Sequence, residues 1–320
     1  MGYKDGKYTL YWSALETYEN CPRRFLWGRG WGTLDVGGGP GRKKPAPFKQ
    51  SKHDALMGIV IQAVVERFYN DELWRQPMGL LQRLEDMIDE TFYRELKGTY
   101  IDWQKSPAQA DLLAVCHEGI QGFMTTLKAQ RLLGPYARSE VELLAYVNKY
   151  TPIGGRADLI IRRDDTGISI FDGKNGKTKG KYTNPDQLRW YALIFYLAHR
   201  KMVDRLGFLY WRYPAGYVAE EGAKPDEGVD WVPYTEDDLK GLAQRAVDAL
   251  KGMEKHQFDP TPTPPTCKFC EYESLCPERQ AQKDGNRRVK KNVEPLFAEA
   301  TGFVQFGFGD GDGRSPAKKE

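Results

Sequence analysis

The chain has 320 residues, enough for one large domain or two ordinary ones, and 40% of them are hydrophobic, enough to bury a sizeable core. Its 12% aromatic content excludes general disorder, and no stretch approaches the ~18 uncharged apolar residues of a membrane span. The net charge of +3 specifies no class of partner. The start of the sequence carries no signal-peptide core, so a cytoplasmic location is expected.

The N-terminal segment, residues 1–30, is expected to be ordered. Ser13 is the predicted N-cap of a short helix, with Glu16 three residues later as in a capping box. Residues 31–50 are rich in glycine and proline, which predicts a flexible loop. From Arg23 to Lys52 there are eight basic residues and one acid, a pattern that fits either phosphate contacts or a solvated loop.

A helical region, residues 51–137, follows the loop. Its apolar residues recur at helical spacing. The predicted helices lie near 52–70, 79–97 and 107–130. From about residue 139 the period shortens, and the segments EVELLAYV, RADLIIRR and GISIFDGK predict an antiparallel meander.

The sequence returns to helix after the meander. Asn184 is a predicted N-cap, followed by Pro185 at the first helical position and Gln187 in a capping-box-like place. A fourth strand is predicted at 206–213, and Thr235 is predicted to cap a helix that runs to about residue 256.

Beyond that helix the composition becomes irregular. The segment PTPTPPT at 260–266 predicts a stiff, extended connector. Residues 287–291 carry a second basic run, and the Gly-rich tail at 302–320 is predicted to be disordered.

Two acids and a lysine are the first candidates for chemistry. Asp158 begins a buried strand, and the next strand ends with Asp172-Gly-Lys174, so Asp172 and Lys174 point the same way. A short hairpin could bring Asp158 close to Asp172, and clustered carboxylates are tolerated when a divalent cation lies between them. Such a set suits metal-assisted phosphodiester hydrolysis, whereas Asp-x-Lys alone also fits an exposed ion pair.

Downstream residues extend this pattern. Gln187 and Tyr191 lie one turn apart on the predicted helix, where capping and core packing are the alternatives to a role in the site. Lys177, Lys179 and Lys181 lie between strand and helix, where they would grip a DNA strand or remain solvated.

Five cysteines make a disulfide framework unexpected. Cys116 lies in an apolar helical pattern and is expected to be a core residue. The other four suit zinc or a 4Fe–4S cluster, and their chemistry does not separate the two. They are Cys21, Cys267, Cys270 and Cys276. Either site would tie the N-terminal segment to the C-terminal one, whereas unligated reduced thiols are the alternative.

These motifs together resemble a known family. The FDGK segment, with GGRADLII before it and QLRWYALIF after it, resembles the core of the PD-(D/E)XK nucleases, in particular the RecB-like branch with its Gln-x-x-x-Tyr motif. The Cys-Pro-Arg-Arg-Phe segment and the later Cys-x2-Cys-x5-Cys-Pro are similar to the iron–sulfur nucleases, which include the CRISPR-associated Cas-four exonucleases and the AddB nuclease domain.

The resemblance implies roles at matching positions. Asp158 and Asp172 would hold Mg²⁺ or Mn²⁺, and the Gly173 carbonyl would add a ligand. Lys174 would orient or activate the attacking water. In the same scheme the motif residues Gln187 and Tyr191 support the site or contact DNA.

The chain departs from the family at one position. The family commonly has Gly-x-x-x-His on an early helix, and here MGIVIQAVVE places Gln62 four residues after Gly58. Gln is a weaker ligand through oxygen, which affects the expected metal affinity and preference. The residue remains in the predicted metal set.

The fold class expected from the resemblance is α/β. It comprises a restriction-endonuclease-like core with a mixed sheet at 138–258, the helical insertion, and a four-cysteine cap at 259–301. The implied function is a metal-dependent DNA nuclease, an exonuclease on single strands or ends, in recombination, repair or CRISPR-type processing.

Two other functions stay open at this point. One is a DNA-binding or scaffold module with a retired active site, which Gln62 favours. The other is a partner subunit that cleaves only with a helicase, a recombinase or CRISPR adaptation proteins.

Overall fold

The structure, a computed structural model, describes residues 3–4, 7–30, 51–134, 136–176, 183–212 and 229–283. The chain forms an α/β fold in which a mixed sheet lies between two groups of helices, as expected for the fold class. The predicted flexible loop at 31–50 and the predicted tail at 302–320 lie outside the described residues.

Eight strands are described. They are β1 (Tyr3–Lys4), β2 (Lys7–Tyr8), β3 (Leu10–Tyr11), β4 (Tyr136–Tyr146), β5 (Pro152–Arg163), β6 (Gly167–Lys174), β7 (Arg205–Tyr210) and β8 (Val229–Trp231). β1 and β2 form a small antiparallel pair. In the main sheet β4 pairs antiparallel with one side of β5. The other side of β5 pairs antiparallel with β6 and, at its beginning, parallel with β3. β7 then pairs parallel with β6, and β8 antiparallel with β7.

Nine α-helices are described in the same parts of the chain. They are α1 (Trp12–Asn20), α2 (Pro22–Phe25), α3 (His53–Asn70), α4 (Leu80–Leu96), α5 (Gln109–Ala129), α6 (Pro185–His199), α7 (Glu236–Glu254), α8 (Pro264–Lys268) and α9 (Pro277–Lys283). A π-helical turn spans Leu26–Gly30, and 3₁₀ turns span Leu73–Arg75 and Glu273–Leu275. None of the described helices is long and apolar enough to cross a bilayer.

The two faces of the sheet bury two separate cores. α3, α4 and α5 pack on one face, and α1, α6 and α7 pack on the other. On β6, Ile170 belongs to one core and the adjacent Phe171 to the other; Phe208 and Leu209 divide in the same way on β7. Because successive side chains of a strand point to opposite faces, a strand buried on both faces has a continuous apolar run.

The helical layer approaches the sheet closely enough to require glycine at one position. A Cβ on Gly122 of α5 would lie 1.4 Å from the carbonyl oxygen of Trp211, just after β7. Any larger residue would push α5 off the sheet. The helical insertion and the sheet are therefore packed together without a gap at this point.

Most of the predicted elements are confirmed. The three helices of the insertion, the antiparallel meander and the fourth strand are present within a few residues of their predicted bounds. Asn184 caps α6 by accepting from the Asp186 amide, and Thr235 caps α7 in a full capping box with Asp238. Cys116 is fully buried in α5, as expected.

Two local predictions are wrong. Ser13 is not an N-cap, because α1 begins at Trp12 with Tyr11 in the cap position; Glu16 instead accepts a hydrogen bond from Asn184. The segment at 260–266 is not extended throughout, because α8 begins at Pro264 with Thr263 as its N-cap. Proline at the first position of a helix is favourable, so the same prolines fit both structures.

Candidate active site

The meander places three acids in one line across three adjacent strands. Leu159 pairs with Phe171, so the preceding residue, Asp158, stands opposite Asp172. On the other side of β5, Ser139 pairs with Leu159 and Val141 with Ala157, so Glu140 stands opposite Asp158. Like charges that face one another across strands are destabilising. A line of three acids therefore needs a compensating charge.

Burial makes the repulsion stronger. Asp172 is only 2% exposed. Burial raises the pKa of Asp158 well above its usual range, and the neighbouring Asp172 raises it further. Burial also raises the pKa of Asp172, although the Lys174 ammonium opposes this change. One backbone contact favours the charged form of Asp158, whose Oδ2 accepts from the Gly173 amide at 2.9 Å.

Lys174, Gln187 and Tyr191 surround Asp172, as the motif predicts. Lys174 Nζ lies 2.5 Å from Asp172 Oδ2 and donates to Gln187 Oε1 at 3.2 Å. Gln187 Nε2 donates to Asp172 Oδ1 at 2.6 Å and lies 3.4 Å from the Tyr191 hydroxyl. Gln187 thus positions Lys174 and Asp172 together. Its place in the sequence had suggested a hydrogen bond that caps the helix instead.

Glu140 is the residue that sequence reasoning missed. Its side chain is 8% exposed, and its backbone has a φ of +56°, a left-handed conformation that costs energy outside glycine. Asn70 of α3 supports the strand at this point, donating to the Ser139 carbonyl and accepting from the Ser139 amide. The sequence offered one indication of this residue, an acid at the first position of the EVELLAYV strand, 18 residues before Asp158.

Both oxygens of Glu140 have partners within the site. Gln62 of α3 donates from Nε2 to Oε1 at 2.8 Å, and Arg156 Nε lies 2.5 Å from Oε2. Gln62 therefore does lie beside the acids, at the place where the family's histidine is expected. It faces Glu140 through its amide nitrogen.

Glu140 and Asp158 open onto a cavity of about 530 Å³, whereas Asp172 is buried and does not line it. The cavity lies between α3 and the β4–β5 pair. Its polar lining includes Gln62, Glu66, Glu140, Arg156 and Asp158. Burial raises the pKa of Glu66, and the charge of Glu140 raises it further. The cavity is therefore acidic, and it is wide enough for a phosphate group with its ions.

The donors around Asp172 fit a hydrated divalent cation. Asp172 Oδ2 is buried and accepts no well-formed hydrogen bond from the described residues, although Lys174 neutralises it at close range. No group of three or more His, Cys, Asp or Glu in the described ranges is arranged to hold a metal. Mg²⁺ binds through one or two carboxylates and keeps several waters, so it does not require such a cage.

The structure brings the two cysteine-bearing segments together through charged contacts. Arg23 Nη1 lies 2.6 Å from Glu278 Oε1, and Arg24 Nη2 lies 2.8 Å from Glu271 Oε2. The Thr261 hydroxyl also donates to the carbonyl of Asn20 at 2.6 Å. The N-terminal and C-terminal segments are thus adjacent, as a shared site would require.

The four thiols themselves are not arranged as a ligand group in the described part of the chain. Cys267 is buried, and Cys21, Cys270 and Cys276 are half-buried. Burial raises the pKa of the Cys270 thiol and raises that of Cys276 to about 11, so both are protonated at neutral pH without a metal. The four-cysteine site stays a prediction.

Several predicted DNA contacts fall where the structure gives no description. Lys177, Lys179 and Lys181 lie outside the described residues, as do the basic residues at 42–49 and 287–291. Arg23, Arg24 and Arg29 of the first basic cluster are described, and each is engaged within the protein. These three arginines are therefore structural, whereas Lys52 of the same cluster is described and exposed.

Comparison with known proteins identifies one family. A family model for the PD-(D/E)XK nuclease superfamily matches residues 11–277. No curated protein matches the chain. Among solved structures, the crystal structure of SSO0001 matches with 18% identity over 70% of this chain and 95% of its own, at a TM-score of 0.32.

Proposed function

Since this chain belongs to the PD-(D/E)XK nuclease superfamily, we propose that it is a metal-dependent DNA nuclease, acting as an exonuclease on single strands or DNA ends. The observation that carries the proposal is the line of three acids, with Lys174 held against the most buried of them. A line of like charges that runs from a cavity into the protein interior is costly for folding alone. It is expected where a cation is to be bound.

Each residue of the site then has a role. Asp158 and Asp172 would hold the ion, with the Gly173 carbonyl as a third ligand, and the ion would supply Lewis acidity at the scissile phosphate. Lys174 lies close enough to Asp172 to orient a water that approaches the same carboxylate. Gln187 fixes both side chains, and Tyr191 packs behind Gln187.

The proposal is tested by cleavage of end-labelled single- and double-stranded DNA in Mg²⁺ and in Mn²⁺. The protein is purified anaerobically and compared with Lys174→Ala and with Lys240→Ala, a control at a lysine whose side chain is 70% exposed on α7. Cleavage by the wild type and the control, but not by Lys174→Ala, supports the proposal. The position of the label gives the polarity of digestion.

A second candidate function is a DNA-binding or partner-dependent subunit with weak intrinsic cleavage. The observation that favours it is the state of Glu140, whose two oxygens are held by Gln62 and Arg156. Tight DNA binding without cleavage in either metal would support this candidate. Cleavage that appears only on addition of a helicase, recombinase or CRISPR adaptation protein would identify the partner-dependent form.

We also propose that Cys21, Cys267, Cys270 and Cys276 hold a 4Fe–4S cluster, with zinc as the alternative, as in the iron–sulfur nucleases of the RecB-like branch. One observation supports this: the segments that carry the cysteines are adjacent. Iron, sulfide and zinc are measured in anaerobically purified protein and in Cys276→Ser. Stoichiometric iron and sulfide that are lost in the variant support the cluster, and zinc alone supports the alternative.

A further inference from the structure

We propose that unpaired DNA reaches the active site by lying across the hairpin formed by β4 and β5, with its bases stacked on a strip of exposed apolar side chains. The stacking strip consists of the half-buried Tyr11 and the exposed Leu144, Tyr146 and Tyr150. This inference rests on the proposed nuclease function and specifies its substrate as single-stranded DNA.

The strip is continuous with the cavity. Leu144 pairs directly with Gly154, and residues directly opposite on antiparallel strands project from the same face. A Cβ on Gly154 would lie 3.1 Å from the Tyr11 ring, so that ring covers Gly154 on the face that Leu144 shares. Tyr11 also lines the cavity. This face therefore runs from Leu144 to Tyr11 at the cavity, and the charged pair Glu142–Arg156 lies on it between Leu144 and Glu140.

The outer part of the strip belongs to neither core. Leu144 is 46% exposed, Tyr146 is 48% exposed and Tyr150 is 64% exposed. Tyr146 pairs with Pro152, two positions beyond the Leu144–Gly154 pair, so it continues along the same face. Leu144 and Tyr146 are thus two exposed apolar side chains in succession on one face, and Tyr150 lies in the turn beyond them.

The turn at the end of the hairpin presents Tyr150 in a fixed position. The Tyr150 amide donates to Asn148 Oδ1 at 2.9 Å, and the Val147 amide donates to the Thr151 carbonyl at 3.0 Å. Lys149 Nζ lies 4.6 Å from the centre of the Tyr150 ring. An aromatic ring beside a cation is the combination that binds a base and its phosphate together.

A second cation marks the inner end. Arg156 lies between Gly154 and Asp158 on β5, is 64% exposed in its side chain, and lines the cavity beside Glu140. The seven residues from Glu140 to Tyr146 span ~20 Å, the length of about six stacked nucleotides. The strip therefore has the Lys149 ammonium at its outer end, the Arg156–Glu140 ion pair at its inner end, and a length suited to a short single strand.

The chemistry favours a single strand over a duplex. Stacking needs the free face of a base, and a duplex offers such faces only at its ends. The acids at the inner end would also repel the two backbones of a duplex more than the single backbone of an unpaired strand. A DNA strand that lies along the strip would place one of its phosphates in the cavity.

The test is the affinity of a fluorescent 20-nucleotide oligothymidine and of a blunt 20-base-pair duplex, measured by anisotropy in Ca²⁺. All proteins carry Lys174→Ala so that the DNA remains intact. The strip variant combines Tyr146→Ala with Tyr150→Ala. The matched control combines Tyr93→Ala with Tyr100→Ala, at tyrosines that are 48% and 47% exposed in the helical region.

The strip variant is expected to bind the oligothymidine at least tenfold more weakly, with little change for the duplex. The control should match the parent, and all thermal midpoints should agree. Unchanged single-strand affinity, an equal loss in the control, or loss of self-association in place of DNA binding would overturn the proposal. Cleavage by the wild type is measured separately. If the strip variant binds single strands more weakly but the wild type does not cleave DNA, only the nuclease function is refuted. If the wild type cleaves DNA but the strip variant binds single strands as tightly as its parent, only the role of the strip is refuted.

Discussion

Replacing Lys174 with alanine removes the one cation that lies within 2.5 Å of Asp172 Oδ2 among the described residues. At that distance, and with an effective dielectric constant of about 20, the gross attraction is about 7 kcal/mol. Much of it is offset, because Asp172 can take up a proton once the lysine is gone, and burial already raises the pKa of that carboxyl. We expect a net loss of about 3 kcal/mol in the free energy of unfolding at pH 8.

The loss of stability should depend on pH in a definite direction. Without Lys174, the pKa of Asp172 rises further, so the folded variant binds more protons than the unfolded chain over a wider pH range. Stability then falls as pH rises through that range, and the difference from the wild type narrows towards pH 6. Urea unfolding at pH 6, 7 and 8 measures this difference, with Lys240→Ala as the exposed control.

The catalytic effect should be much larger than the effect on stability. Loss of a group that positions or activates the nucleophile lowers a rate by about 10²- to 10⁴-fold. Initial rates on end-labelled DNA, measured with protein that is folded by circular dichroism, give the value. A variant that keeps more than a tenth of the wild-type rate would refute the role assigned to Lys174, and so would a stability loss that is constant from pH 6 to pH 8.

Three further outcomes follow from the site and its surroundings. Burial and a like charge raise the pKa of Asp158, so the folded state loses stability as pH rises above the ordinary pKa of 3.8. Asp158→Asn removes this cost and should raise the thermal midpoint in EDTA at pH 8 by about 2–4 °C, a gain that vanishes towards pH 4. The same variant should lose the rise in thermal midpoint that Mn²⁺ induces in the wild type. Gln62→His should tighten Mn²⁺ binding about tenfold by calorimetry, because imidazole nitrogen is the stronger ligand for a transition metal, and unchanged affinity would exclude this position from the metal set. Arg23→Ala breaks a two-oxygen contact with Glu278 and should lower the free energy of unfolding by about 1–3 kcal/mol, whereas Arg67→Ala, at an exposed ion pair on α3, should cost less than about 0.5 kcal/mol. Equal losses in the two variants would show that the Arg23–Glu278 contact does not hold the N-terminal and C-terminal segments together.

The acids on β5 and β6 could be predicted because strand geometry is simple. Side chains alternate along a strand, and the turn signals at 164–167 fixed the hairpin that sets Asp158 opposite Asp172. Lys174 followed from the same alternation. These predictions needed only local spacing, which the amino-acid sequence records directly.

Glu140 could not be found in the same way. Its place depends on the register of β4 against β5 across a five-residue connection, and on a left-handed backbone conformation at a residue that is not glycine. Support for that conformation comes from Asn70, which is 70 residues earlier in the chain. Nothing in the sequence links those two positions, so propensity favoured an ordinary strand.

The mistaken N-cap at Ser13 has a related cause. β3 pairs in parallel with β5 through Leu10 and Tyr11, and α1 follows directly from that strand. The tertiary pairing fixes where the helix starts, so the capping preference of Ser13 does not decide it. The same pairing places Tyr11 over Gly154 at the cavity.

The sheet shows what the line of acids costs. Two positions along from the Asp158–Asp172 pair, Ile160 stands opposite Ile170, and both are buried in the core. The same strands can therefore bury apolar pairs, and the acids are an exception within an otherwise apolar hairpin. A cation that binds the folded chain and not the unfolded one would recover part of that cost by mass action. Mg²⁺ or Mn²⁺ should thus raise the thermal midpoint of the wild type as its concentration rises, and Asp158→Asn should be more stable than the wild type only when metal is absent.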